Sequence, residues 1–204
     1  MGFALASVAP GGAPSAGTQV DFRGVQPSEE ARHAAIAAID LRDARGRPVA
    51  VVDKKNARIY VFGADGRLRG TTPVLLGLTP GDRSAPGVGR LAGGYIPAAM
   101  QTTPAGRFES EPGRNLTGES IVWLDYDAAL AIHRLRPAHP AQRRPQRLAS
   151  ASTADNRISQ GCVIVPGEFF DQVVAPTLGR QRGVVYILPE ADQPAEFMQV
   201  AGKR

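Results

Sequence analysis

The sequence predicts a mainly β domain with minor helices, an α+β fold, and three observations predict it. Short runs of alternating β-branched or aromatic and polar residues dominate the chain, beginning with PVAVVDKKNARIYVFGADGRLRGTTPVLLG. Extended helical spacing is rare. Neither an internal repeat nor a low-complexity block is present, and 204 residues of 43% hydrophobic and 21% charged composition suffice for one well-buried core.

The elements follow in order. Residues 1–27 are expected to form a flexible leader or signal remnant, because MGFALASVAPGGAPSAG is rich in small residues and ends like the tail of an export signal, though without a basic start. A single domain is expected over 28–190 and a peripheral tail over 191–204. SEEARHAAIAAIDL, residues 28–41, carries a capping Ser28, two glutamates in the first turn and Ala and Ile at helical spacing, so it predicts a short amphipathic helix. A β-meander is predicted from Val49 to Gly77, with Asp65-Gly66 as a hairpin turn. Residues 78–101, rich in Gly and Pro, read as a long loop. Strands are expected at Arg107–Glu109, Ile121–Leu124 and Leu130–His133. From Arg134 to Arg157 the chain is polar and Arg-rich, and Pro137, Pro140 and Pro145 argue for a loop without regular structure. A strand through Gly161–Val165, a helix opened by Pro166 and a last strand at Gly183–Leu188 complete the chain.

Net charge is +5 and the sequence pI about 9.9, carried mainly by Arg, which favours carboxylate or phosphate partners. Nucleic acid is set aside: the sequence has no zinc-ligand spacing, no basic helix and no interleaving of aromatic with basic residues. No apolar run is long enough to span a membrane. One cysteine rules out an intramolecular disulfide and a polythiolate zinc site, leaving a buried apolar residue or a reactive thiol.

That cysteine, Cys162, lies in RISQGCVIVPGEFF, where a Ser-Gln-Gly turn delivers it to an apolar strand. Gly161 permits a sharp backbone turn that aims N–H groups at a developing oxyanion. A thiol titrates near pH 8.5, so a nucleophilic cysteine needs a neighbouring base. Three histidines are available: His33 on the first helix, His133 at a strand end and His139 in the Arg/Pro loop. Strand ends hold such geometry better than loops, which favours His133.

Taken together, DYDAALAIHR around His133, the segment Ser159-Gln160-Gly161-Cys162-Val163-Ile164, the β-meander and the TTPAGRF stretch resemble the YkuD-type L,D-transpeptidases over roughly Val49 to Pro189. The family motif is Ser/Thr-His-Gly-Cys, a hydrophobic residue, then Asn or Arg. Here Gln160 replaces the histidine and Ile164 the Asn or Arg, and 28 residues separate His133 from Cys162, more than usual.

The resemblance implies a β-sandwich or mixed-sheet catalytic domain, exported to the periplasm or cell envelope. It implies acyl transfer on peptidoglycan stem peptides: Cys162 attacks, D-alanine leaves, and the resulting thioester passes to a stem amine, a D-amino acid, a wall-linked protein or water. His133 would move the protons. Gly161 and Cys162 would supply oxyanion N–H groups within the Ser159–Gln160 motif turn, and the Arg134 carbonyl would orient His133. Independently of the resemblance, Arg136 and Arg157 are candidate carboxylate binders, and the Arg-rich segment reads equally as a solvated loop or as one that binds stem-peptide or wall carboxylates and forms a lid. No metal and no organic cofactor is called for. A hydrolase (carboxypeptidase or amidase) on the same scaffold and a wall-binding module without turnover are the alternatives. Thr102, Thr103 and Gly106 read as turn-shaping residues, and Trp123 and Tyr126 as core or cleft wall.

Overall fold

The computed structural model describes residues 18–190. It is mainly β, with a mixed sheet and a few small helices. The strands are β1 (Val49–Asp53), β2 (Arg58–Phe62), β3 (Leu68–Pro73), β4 (Leu76–Gly77), β5 (Gly106–Arg114), β6 (Ser120–Asp125), β7 (Leu130–Arg134), β8 (Arg157–Ser159), β9 (Val163–Val165) and β10 (Gly183–Ile187). Eight of them form one sheet in the order β3-β2-β1-β10-β5-β6-β7-β9, while β4 pairs with β8. Two adjacencies in the large sheet are parallel, β1 with β10 and β7 with β9; the rest are antiparallel.

The predicted first helix is α1 (Glu29–Ile39), capped by Ser28 Oγ, which accepts from Ala31 N–H at 3.1 Å. Ala31, Ala34, Ala35, Ala38 and Ile39 pack on one sheet face with Val49, Val51, Phe62 and Tyr186. The small side chains let the helix axis lie close to the strands. Within the segment expected as a leader, Phe22 is buried and meets Phe62 edge-on at 5.2 Å, and Asp21 exchanges backbone hydrogen bonds with Gly66 and Leu68. Burying an aromatic ring of this size contributes about 2 kcal/mol toward holding the segment on the domain. Residues 1–17 and 191–204, the remainder of the leader and the tail, lie outside the described residues.

The opposite sheet face carries the main core, closed by a helical stretch that runs through α2 (Gly167–Phe169), a π-helical turn (Phe170–Val174) and α3 (Ala175–Thr177). This helix shapes the sheet. Phe169 lies against Gly70 of β3, and its neighbour Phe170 lies under the Arg134 guanidinium of β7 at 5.0 Å. Six strand intervals separate β3 from β7, roughly 29 Å if the sheet were flat. Adjacent helical residues can touch both strands only because the sheet curls around them.

Candidate functional site

Strands β7 and β9 run parallel, with Ile132 opposite Val163 and His133 opposite Ile164. Continued back one residue, this register sets Cys162 beside Ala131. Side chains alternate along a strand, so Ile132, Val163 and Val165 enter the main core while His133, Cys162 and Ile164 share the other face. Trp123, opposite Ala131 on β6, adds an aromatic wall by stacking on the exposed Tyr126 with 4.7 Å between ring centroids.

His133 is buried at 9% exposure, and its Nδ1 lies 2.8 Å from the Arg134 carbonyl oxygen. A carbonyl only accepts, so this contact assigns the proton to Nδ1 and leaves the Nε2 lone pair free. Burial, aided by the Arg136 charge, depresses the imidazole to about 4, against the Arg134 hydrogen bond and the Glu119 charge. Burial pushes the Cys162 thiol up, opposed by the Ala131 N–H and by Arg136. Both groups are therefore neutral at pH 7. The thiol donates to the Ala129 carbonyl at 3.4 Å, away from His133, and among the described residues no hydrogen bond joins sulfur to imidazole. Cys162 and His133 are diagonal neighbours on adjacent strands, a relation that sets Cα atoms on the order of 7 Å apart.

The motif turn is tightly held. Gly161 sits at φ +133°, and a Cβ there would come within 3.0 Å of the Thr102 carbonyl oxygen. No other residue fits without strain. Ser159 Oγ accepts from Gly161 N–H at 3.1 Å and donates to the Cys162 carbonyl at 2.7 Å. The Gly161 N–H, expected as an oxyanion donor, is thus engaged by Ser159, whereas the Cys162 N–H meets no acceptor among the described residues. Gln160 is exposed and forms no hydrogen bond among them. Ile164 has become a packing residue: it exchanges two 2.9 Å backbone hydrogen bonds with Leu75 and packs against Leu75 and Leu148.

The Arg-rich segment departs from the expected irregular loop. It holds 3-10 turns at Pro140–Gln142 and Thr153–Asn156 and a short α-helix at Arg144–Leu148. Pro140 and Pro145 occupy first-turn positions, where a missing N–H costs nothing, so they start these turns rather than break them. Leu148 anchors the segment on the Ile164 face. Arg134 pairs with Asp171 at 2.7 Å and more loosely with Glu119 at 3.3 Å, while Arg136 holds Glu119 at 2.5 Å. Arg136 also stands near enough to bias His133, Cys162 and Arg144 through its charge.

Arg157, the other candidate carboxylate binder, opens β8. Its side chain is 14% exposed and pairs with Glu190 at 2.7 Å. Glu190 also lies 3.2 Å from Lys54, a lysine without exposed side-chain surface that donates to Gly81 O, Asp82 Oδ1 and Thr103 O at 2.6, 2.7 and 2.9 Å. Sequence reasoning missed Lys54, because nothing in the hairpin string DKKN separates a buried lysine from a solvated one. His33 and His139 are exposed, and His139 caps the Pro140 turn by accepting from Ala141 N–H. Among the described residues no three His, Cys, Asp or Glu side chains group as a metal set, and no helix is long and apolar enough to cross a membrane.

Fold and site thus define a curled mixed-sheet domain with a cysteine in the turn that enters β9 and a buried, single-tautomer histidine on the neighbouring parallel strand β7. No family model and no curated protein matches the chain. Among solved structures it is similar to the LD transpeptidase LdtMt1 in complex with imipenem, at 15% identity and a TM-score of 0.39 over 69% of this chain and 58% of that one. It is similar also to an L,D-transpeptidase from Xylanimonas cellulosilytica, at 17% identity and a TM-score of 0.42 over 70% of this chain and 60% of that one. The chain spans about three fifths of the length of each.

Proposed function

We propose that the protein is a cysteine acyltransferase of the L,D-transpeptidase type, acting in the cell envelope on peptidoglycan stem peptides. The observation that carries the reading is the Nδ1 contact of His133 with the Arg134 carbonyl, which leaves a bare Nε2 on the face that also bears Cys162. The SQGC turn and the TTPAGRF segment support the substrate class through their resemblance to that family.

The mechanism starts from the neutral pair. As the thiol swings from Ala129 O toward His133, Nε2 takes its proton and sulfur attacks the acyl carbon. The Cys162 N–H receives the growing negative charge on oxygen. The imidazolium returns its proton to the departing D-alanine nitrogen, leaving a thioester on Cys162. An incoming amine then reverses these steps, with His133 as base again.

The test is incubation with a tetrapeptide stem alone and with an added amine-bearing stem, followed by mass analysis of products. Release of D-alanine with a cross-linked dimer supports the transferase; D-alanine release without a dimer moves the reading to the hydrolase; release of neither sinks both.

The depressed imidazole has a consequence for pH. Neutral His133 persists down to about pH 4, so adduct formation with a carbapenem is expected to stay level from about pH 7 to about pH 5 before it falls. An ordinary histidine would halve the rate near pH 6.5. Stopped-flow rates across this range decide between them, and an acid limb near 6.5 would contradict the buried neutral base.

A further inference from the structure

The Gly161–Cys162 peptide is held from behind by a buried side chain. Thr103, with no exposed surface, donates through Oγ1 to the Gly161 carbonyl at 2.7 Å and accepts from Gly77 N–H at 2.8 Å. Its hydroxyl is thereby fixed in direction, with one proton committed and one lone pair engaged. Its own carbonyl is gripped by Lys54 Nζ at 2.9 Å, and the same ammonium ties down Gly81 and Asp82 of the long loop. A chain of contacts therefore runs from the β1–β2 hairpin through Thr103 to the residue before the cysteine.

We propose that Thr103, anchored by Lys54, is a positioning residue that aims the Cys162 N–H at the acyl oxygen. A trans peptide is planar, so its C=O and N–H point in opposite directions. Holding the Gly161 oxygen against Thr103 sends the Cys162 N–H outward, away from that contact. Two further features agree. Gly161 adopts a φ of +133° that a side chain would strain, and the Gly161 N–H is diverted to Ser159, so the turn presents one N–H and not two. The inference rests on the acyl-transfer reading, because an oriented donor matters only where an oxyanion forms.

The experiment compares the natural chain with Thr103→Val and Thr103→Ser in two reactions of the same thiol. Acylation by a carbapenem needs the oxyanion donor; alkylation by iodoacetamide needs only the thiol and its base. Thr103→Val is expected to slow acylation on the order of 10²-fold, as loss of one oriented donor does, and to change alkylation less than about threefold. Thr103→Ser, which keeps the hydroxyl, is expected to restore acylation to within a few-fold. Equal acylation in Thr103→Val, or a parallel fall in alkylation, overturns the positioning role while leaving the acyltransferase reading in place. A natural chain that never acylates overturns both. A second measurement does not depend on the Val variant folding: in the natural chain, the Cys162 amide proton is expected to exchange freely and to shift downfield on acylation, while the Gly161 amide, bonded to Ser159, stays protected. A protected Cys162 amide that does not move on acylation overturns the inference.

Discussion

Cys162→Ala is expected to form no carbapenem adduct by intact mass, and His133→Ala to form it 10²–10⁴-fold more slowly than the natural chain at about pH 7. Burial and the absence of a resting sulfur–imidazole bond make this dependence steep. A free thiol titrates near pH 8.5 and is only a few per cent ionised at neutrality, and burial pushes Cys162 further from ionisation. Without His133 no adjacent base takes the proton, so hydroxide must supply the thiolate. The His133→Ala rate should therefore rise about tenfold per pH unit above neutrality, where the natural chain is nearly flat. An adduct that survives in Cys162→Ala would remove the nucleophile from the proposal, and a His133→Ala rate equal to the natural one would remove the base.

Lys54→Met is expected to destabilise the fold by about 3 kcal/mol, measured by urea unfolding. The substitution keeps the buried aliphatic stem and removes the ammonium, leaving the Gly81 and Thr103 carbonyls without this donor and removing the cation that Asp82 and Glu190 share, while Glu190 keeps its pair with Arg157. The figure is taken at the low end of the range for breaking a buried pair, because Asp82 and Glu190 retain 26% and 17% side-chain exposure and can rehydrate. A loss below about 1 kcal/mol would mean that water replaces the ammonium with little penalty, and the anchor would then carry no structural weight.

The sequence by itself determined the element pattern wherever local signals and burial agree. Ser28 with its two following glutamates marks the start of α1, alternation in VAVVD and RIYVF marks two strands, and Asp65-Gly66 turns between β2 and β3 with Gly66 at φ +77°. It also singled out Cys162 and His133, because a strand-end histidine and a Gly-Cys turn are local features, and the family resemblance added the Arg134 carbonyl as the group that would orient His133. Where local signals mislead, the reasons are physical. Pro140 and Pro145 read as breakers but start turns, since proline lacks only an N–H that a first turn leaves free. Arg157 reads as a surface cation but folds against Glu190. Only the tertiary structure decided which lysine is buried, which N–H of the SQGC turn is free, and that Thr103 stands behind Gly161. The grip of Lys54 on Thr103 and the place of Thr103 behind Gly161 depend on contacts 26 to 58 residues apart in sequence, which no local pattern encodes. They arise because the curled sheet brings the β1–β2 hairpin, the 78–105 loop and the start of β9 together, and each buried polar group there must find a partner.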